Sequence, residues 1–426
     1  MTSRVVRGVV ALLLLSLLAI GLTIWRGYGD EPMDGQAGQP MTSPSPMAQQ
    51  QVERGAYLAR AGNCAGCHTA RGGAPYAGGA GIATPFGMVY AGNLTPDLQS
   101  GLGRWSARDF WRALHFGRSR DGRLLYPVFP YTSYSAVSRD DSDALYAYLR
   151  SLTPVNQPNM PHALEFPYRS QIALALWRGL FFKPAVFTPD PLKPAQWNRG
   201  AYLVRGLGHC GQCHAERNAL GALKAPDELG GGMIAMQHWY APSLASRREA
   251  GLARDDAQQF VRLLKTGIAD ARTAMGPMAD VVYRSTQYLN PTDLEAIAQY
   301  LIELPATDAP LNTPAPPDAL DLSSGKAIYR DHCARCHGLQ GEGAPGAYAP
   351  LAGNRAVTLG TPANLVQTVL HGGYAPATAG NPRPYGMPPY RQTLNDTQIA
   401  DVLTFIRRAW GNGASPVSPL EVMQHQ

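Results

Sequence analysis

A chain of 426 residues with a formal net charge of +6 has room for about three domains of roughly 100 to 150 residues rather than one core. Apolar residues make up 45% and charged residues 16%, which excludes a disordered or fibrous chain, while 45 Gly and 36 Pro demand much turn and loop. Only five of the 37 basic residues are Lys and they form no run, so the positive charge does not build a nucleic-acid surface.

In chain order, the first predicted element is an apolar helix within residues 1–28. Arg4 and Arg7 precede an uncharged run of 18 residues from Gly8 to Trp25, and Arg26 comes directly after it. Such a run rises about 27 Å as a helix, close to the hydrocarbon thickness of a bilayer. No small-residue cleavage site stands beyond it. An uncleaved anchor is expected, its early arginines on the cytoplasmic side and the rest of the chain exported. A cleaved signal peptide is the other reading and leaves the compartment unchanged.

After a linker rich in Gly, Pro, Ser and Met (29–50), one plan recurs three times, over 51–155, 196–306 and 323–412. Each unit opens with a short helix: Arg54 to Arg60 (RGAYLAR), Arg199 to Arg205 (RGAYLVR) and Gly325 to Arg330 (GKAIYR). Each closes with an amphipathic helix: Asp143 to Leu152, Glu295 to Leu304 and Ile399 to Arg408. Apolar residues there recur at intervals of three and four, as in Leu145, Tyr148, Leu149 and Leu152, so one face is buried. Asp140, Asn290 or Thr292, and Asn395 are the predicted N-caps. The connecting segment 156–195 contains an apolar stretch, Ile172 to Phe182, too short to span a bilayer and interrupted by Arg178. It is read first as a helix packed between domains and second as a membrane-surface or partner-docking helix. A Pro-rich linker (307–322) precedes the third unit, and a tail (413–426) ends the chain after it.

Between the two helices of every unit stands a cysteine pair closed by a histidine: Cys64, Cys67 and His68; Cys210, Cys213 and His214; Cys333, Cys336 and His337. This is C-x-x-C-H, the attachment sequence of c-type haem, and at this composition a given Cys would acquire the remainder by chance with a probability of roughly 0.0003. Two thiols three residues apart on a helical turn can both reach the vinyl edge of one porphyrin, and the next residue offers its imidazole to the iron. A zinc site would need two such pairs close together, whereas these lie more than a hundred residues apart in sequence. Three covalently bound haem c groups consume all six cysteines.

A low-spin haem needs a sixth ligand, and a methionine thioether raises its potential. Met278, in AMGPMADVV, and Met387, in YGMPPYRQTL, precede the closing helices of the second and third units, with Met275 a close competitor of Met278. In the first unit the corresponding residue is Phe129, in LLYPVFPY, which cannot ligate iron. Met88 is the first candidate, His115 on the helix FWRALHFG is another, and a haem with no protein ligand on that side is the third.

The stretches NLTPD, GRWSARDFWRALHFG, WNRGAYLVRGLGHCGQCHAERNALGA and MPPYRQTLNDTQIADVLTFIRRAWGN resemble the tri-haem cytochrome c subunits of bacterial membrane-bound dehydrogenases, from about residue 50 to 412. The resemblance implies a mainly α fold of three tandem class I cytochrome c domains after an N-terminal transmembrane anchor. It also implies a periplasmic electron-transfer subunit that serves a separate catalytic chain and passes electrons to ubiquinone or a terminal oxidase. That partner is either a molybdenum hydroxylase or a flavin or quinoprotein dehydrogenase of alcohols or sugars. Phe129 departs from the methionine usual in the alcohol branch and agrees with the PAFPY found in the molybdenum-hydroxylase branch. A self-contained haem enzyme or sensor, using an open iron in the first domain, is the competing class. No Gly-rich dinucleotide fingerprint, Ser-His-Asp set or flavin motif accompanies it.

Overall fold

Glycine placed at a helix crossing, and a side chain able to cap the helix that crosses it, account for most of the architecture. The computed structural model describes residues 3–29, 46–226, 228–270, 272–306 and 321–426. Most of the two predicted linkers 29–50 and 307–322 lies outside the described residues. The chain divides into two compact units: Met1–Ala59 with Cys67–Thr188 and Ala219–Ala222, and Arg60–Gly66 with Pro189–Asn218 and Leu223–Gln426.

In the first unit the helices are α1 (Ser3–Tyr28), α2 (Pro46–Ala61), α3 (Cys64–His68, which joins it at Cys67), α4 (Ala107–Phe116), α5 (Tyr131–Tyr134), α6 (Arg139–Ser151) and α7 (Gln171–Phe181). Strands β1 (Gly81–Thr84), β2 (Gly87–Tyr90) and β3 (Ala163–Leu164) form one antiparallel sheet in that order. Helices α2 and α6 cross at Gly55, where a Cβ would stand 1.9 Å from the carbonyl oxygen of Ala144. Only glycine allows that approach. Beside it Arg54 Nε donates to Asp141 Oδ1 at 2.8 Å. The N-cap of α6 is Ser138, whose side chain accepts from the Asp141 amide, and not the expected Asp140, which lies inside the first turn. The serine hydroxyl reaches the third amide of the helix, which is the requirement for a cap.

The second unit repeats this crossing twice. Helices α8 (Ala195–Arg205), α9 (Gly211–His214), α10 (Ala257–Thr266), α11 (Gly276–Arg284) and α12 (Pro291–Ile302) belong to its first half, with hairpins β4 (Gly232–Ile234) and β5 (Trp239–Ala241), then β6 (Ile268–Ala269) and β7 (Arg272–Thr273). Helices α13 (Ser323–His332), α14 (Ala334–His337), α15 (Ala363–His371), α16 (Asp396–Arg408) and α17 (Pro419–Gln424) form the second half, with β8 (Gly373–Tyr374) paired to β9 (Gly386–Met387). At the α8/α12 crossing a Cβ on Gly200 would stand 1.9 Å from Ala296 O, and a Cβ on Gly325, between α13 and α16, would stand 2.2 Å from Asp401 O. Arg199 grips Asp293 through two bonds of 2.8 Å, whereas in the last pair Ser324 Oγ donates to Asp401 at 2.8 Å instead. The caps Asn290 and Asn395 are those expected.

The segment 413–426 is not a tail. Val417 and Val422 are buried in the core formed by Tyr329, Val366, Ile399, Leu403 and Phe405, and Thr404 Oγ1 exchanges hydrogen bonds with the Val417 backbone. Arg407, 1% exposed, joins the same layer by donating to the carbonyls of Ser415, Val357 and Leu359. Three carbonyls meeting Nε and Nη1 make a buried guanidinium tolerable.

Gly200→Val is expected to cost about 3 kcal/mol, because the obstructing atom is backbone and cannot rotate away. Thermal unfolding monitored at the haem absorbance, compared with Gly230→Val, where a Cβ meets nothing within 4 Å, measures it. Equal losses in the two variants would remove the crossing from the explanation.

Candidate haem-binding site

Each C-x-x-C-H stands on a single helical turn immediately after the opening helix of its pair, so the glycine crossing fixes where the cysteines and histidine emerge. All three histidines then meet a backbone carbonyl: His68 Nδ1 lies 2.7 Å from Gly92 O, His214 Nδ1 2.7 Å from Pro242 O and His337 Nδ1 2.9 Å from Ala349 O. A carbonyl can only accept, so Nδ1 carries the proton and Nε2 keeps its lone pair for a metal. Burial holds all three imidazoles below their ordinary pKa, against the opposing pull of the carbonyl bond. They are therefore neutral, as ligation requires.

Burial pushes the Cys210 thiol up to about 12, with Cys213 adding to the effect, and pushes Cys333 up to about 11. Burial raises Cys213 as well, and thiols so reluctant to ionise make the Cys210/Cys213 pair a poor redox dithiol, the rival for a C-x-x-C pair. Among the described residues no group of three or more His, Cys, Asp or Glu is placed to hold a free metal ion.

Within the second unit the two halves share one cavity of about 1170 Å³. That exceeds the roughly 300–1,000 Å³ of an ordinary single-ligand pocket. Its wall carries Cys210, Cys213 and His214 together with Cys333, Cys336 and His337. Leu203, Leu244, Phe260, Leu264, Val402 and Leu403 supply apolar lining. Arg272 and Arg355 also reach this wall, both paired to Asp256, at 2.5 and 3.4 Å. An apolar chamber with two attachment sets and two cations fits two porphyrins, whose faces are apolar and whose propionates are anionic.

Met278 and Met387 both line the cavity. Met278 stands in the first turn of α11, fixed by Pro277. Met387 is on β9 opposite Gly373, backed by Pro388 on the same wall. Met275 lines the cavity too, but its methyl is turned to Gly373, whose Cβ would lie 3.4 Å from it.

The first unit reproduces the frame of this site with a different residue in the ligand position. After α10, Gly267 takes a left-handed conformation and its carbonyl accepts from Ala274 N at 2.8 Å; after α4, Gly117 does the same and accepts from Leu125 N at 2.8 Å. Met278 is four residues beyond the first of these bonds, and Phe129 is four beyond the second. Met88 is elsewhere. It lies on β2, opposite Ala83 and Ala163, with its sulfur against Gly81. That strand leads directly into Gly92, the acceptor of His68, as β5 leads into Pro242. His115 is buried on α4, stacked on Trp111 with ring centroids 4.4 Å apart. Its counterpart on α10, two residues before the left-handed glycine, is Lys265, which donates to Leu289 O. The correspondence of Phe129 with the methionine ligands was legible in its spacing from the closing helix; the matched glycine bonds that frame both loops were not.

Paired helices crossing on glycine, a C-x-x-C-H after the first of them and a carbonyl-bound histidine define a c-type cytochrome. The cytochrome c family pattern matches residues 52–153 and 322–410. The chain is 40% identical over 380 residues to the cytochrome c subunit of a quinone alcohol dehydrogenase from Gluconacetobacter polyoxogenes, covering 85% of this chain and 81% of that one. It is 40% identical to the gluconate 2-dehydrogenase cytochrome c subunit of Pantoea cypripedii, covering 85% and 86%. It is 42% identical to a subunit of the nicotinate dehydrogenase of Pseudomonas putida, covering 84% of this chain and 30% of that longer one. The chain belongs to the family of cytochrome c subunits of dehydrogenases, which carry covalently bound haem c and transfer electrons.

Proposed function

We propose that this chain is a membrane-anchored tri-haem cytochrome c on the periplasmic face of the cytoplasmic membrane, accepting electrons from a separate catalytic dehydrogenase subunit and delivering them to ubiquinone or a terminal oxidase. The observation that carries it is the threefold arrangement of a C-x-x-C-H with its histidine Nδ1 bound to a carbonyl, two copies of which open on one apolar cavity. Covalent haem c supplies reversible one-electron storage. The residues of this chain hold it: Cys64, Cys67, Cys210, Cys213, Cys333 and Cys336 as thioether donors, and His68, His214 and His337 as proximal ligands. Met278 and Met387 serve as sixth ligands, while Phe129 rather than Met88 occupies the corresponding position of the first haem. Arg272 and Arg355, on the cavity wall, would supply positive charge to anionic propionates.

For the partner, identities of 40% and 42% to subunits of alcohol, gluconate and nicotinate dehydrogenases are too close to rank. Phe129 favours a molybdenum hydroxylase of aldehydes or N-heterocycles over a flavin or quinoprotein dehydrogenase. Purification of the solubilised complex through a tag on this chain, with assays for molybdenum, flavin and pyrroloquinoline quinone, separates these. Three haems c per chain by pyridine haemochrome and intact mass are expected. Two would overturn the tri-haem reading.

A second reading, a haem enzyme acting at the first domain, rests on Phe129 leaving that iron without a thioether. The purified chain is expected to turn over hydrogen peroxide no faster than free haem. Sustained turnover lost in Phe129→Met would favour the enzyme.

A further inference from the structure

Helix α7 is pinned on one side and bare on the other. Ser170 caps it, accepting from the amides of Ile172 and Ala173, and Gln171 brackets Leu124 with its side-chain oxygen and nitrogen at 2.8 and 3.2 Å. Its inner face buries Leu174 and Ala175 with Leu124, and Ile24 of α1 packs against them. The two helices meet at backbone range: a Cβ on Gly27 would stand 1.7 Å from Ala175 O, and one on Gly179 would stand 2.1 Å from Thr23 O. Small residues at a crossing are how membrane helices come this close. Arg178, 6% exposed, closes the joint by donating to Gly27 O at 3.1 Å and to Phe116 O at 2.6 Å.

The outer face is apolar and mostly open: Ile172 is 60% exposed and Leu180 56%, with Phe181 beside them and Phe166 at 79% just before the helix, while Trp177 on that side is half-buried and donates to Leu220 O at 2.8 Å. The leucines of α1 from Leu12 to Leu18 are more exposed than buried as well, and in the function proposed above a bilayer covers them. Because α7 crosses α1 at Thr23 to Gly27, the last turns of that span, it sits where the hydrocarbon gives way to headgroups. Exposed Trp25 and Tyr28 mark the same level. Exposed Arg26, Arg169 and Lys183 border it, whereas the charge within α7, Arg178, is turned inward.

We propose that α7 is an in-plane membrane helix, with Phe166, Ile172, Leu180 and Phe181 seated in the headgroup boundary of an anionic phospholipid bilayer, locked to the span by Arg178. The packed joint also requires that α1 stay attached in the mature chain. The proposal rests on α1 being a membrane span, and the test separates the two. Full-length holoprotein carrying a nitroxide at Leu180→Cys, Ile172→Cys, Leu14→Cys or Leu98→Cys is placed in nanodiscs of phosphatidylglycerol and phosphatidylethanolamine. The relaxation of each label by oxygen and by a water-soluble nickel chelate is compared. Labels at 172 and 180 are expected to favour oxygen about threefold more than the label at 98, an exposed loop leucine, and less than the label at 14. Haem content equal to the parent certifies the fold of each variant. If the labels on α7 match position 98 while position 14 reads as lipid, α1 spans and this proposal falls. A mature mass beginning beyond Tyr28 overturns both. Shielding of α7 only after the catalytic subunit is added would assign the face to a protein and overturn it as well.

Discussion

Met387→Ala is expected to lower the potential of one haem by more than about 59 mV, a tenfold shift in its one-electron equilibrium, while all haems stay attached. Attachment is untouched because Cys333, Cys336 and His337 stand at α14, whereas Met387 belongs to a separate element of the cavity wall, β9. Loop geometry makes the thioether hard to replace. Gly372, with φ +62°, lets the chain return so closely that a Cβ there would meet Met387 O at 2.2 Å, and Pro388 and Pro389 stiffen the turn after it. Alanine offers the iron no thioether in that place. Redox titration with loss of the methionine–iron charge-transfer band is the measurement. Met278→Ala should do the same to a second haem, whereas Met275→Ala should not, since the Met275 methyl is occupied against Gly373. A normal potential in Met387→Ala would remove that residue from the iron. A shift in Met275→Ala equal to that in Met278→Ala would reopen the choice between them.

How far the sequence disclosed this site depends on what each part of it is made of. C-x-x-C-H is legible because thioether formation and ligation both need fixed residues at fixed spacing, and the closing helices are legible because burial imposes a period. The carbonyls of Gly92, Pro242 and Ala349 are not legible, since any residue offers a carbonyl. The three glycines at the crossings stand within the repeated segments RGAY, RGAY and GKAIY, yet periodicity directs attention to the apolar residues, and a contact between two backbones leaves no hydrophobic signature. Residues 413–426 look like a polar tail because only Val417 and Val422 enter the core. Two residues make no period. The shared cavity could not be read at all: it arises from the packing of segments more than a hundred residues apart.

Phe129→Met is the converse experiment, and it is expected to convert the first haem from high-spin to low-spin and raise its potential by more than about 59 mV. Its basis is the pair of matched hydrogen bonds, Leu125 to Gly117 and Ala274 to Gly267, which set Phe129 and Met278 at the same distance along equivalent loops. Phenylalanine and methionine are similar in volume, and Met is unbranched, so the exchange is tolerated at less than about 1.5 kcal/mol. Phe129 is only partly buried, against Tyr134 with ring centroids 5.4 Å apart. Electron paramagnetic resonance of the oxidised protein reads the change directly, since one high-spin signal should vanish in the variant. Met88→Ala is the control. Held on the strand that carries the acceptor of His68, Met88 should be removable with the spin state of every haem unchanged. A high-spin signal that appears only in Met88→Ala would restore Met88 as the ligand and would falsify the equivalence between the two loops.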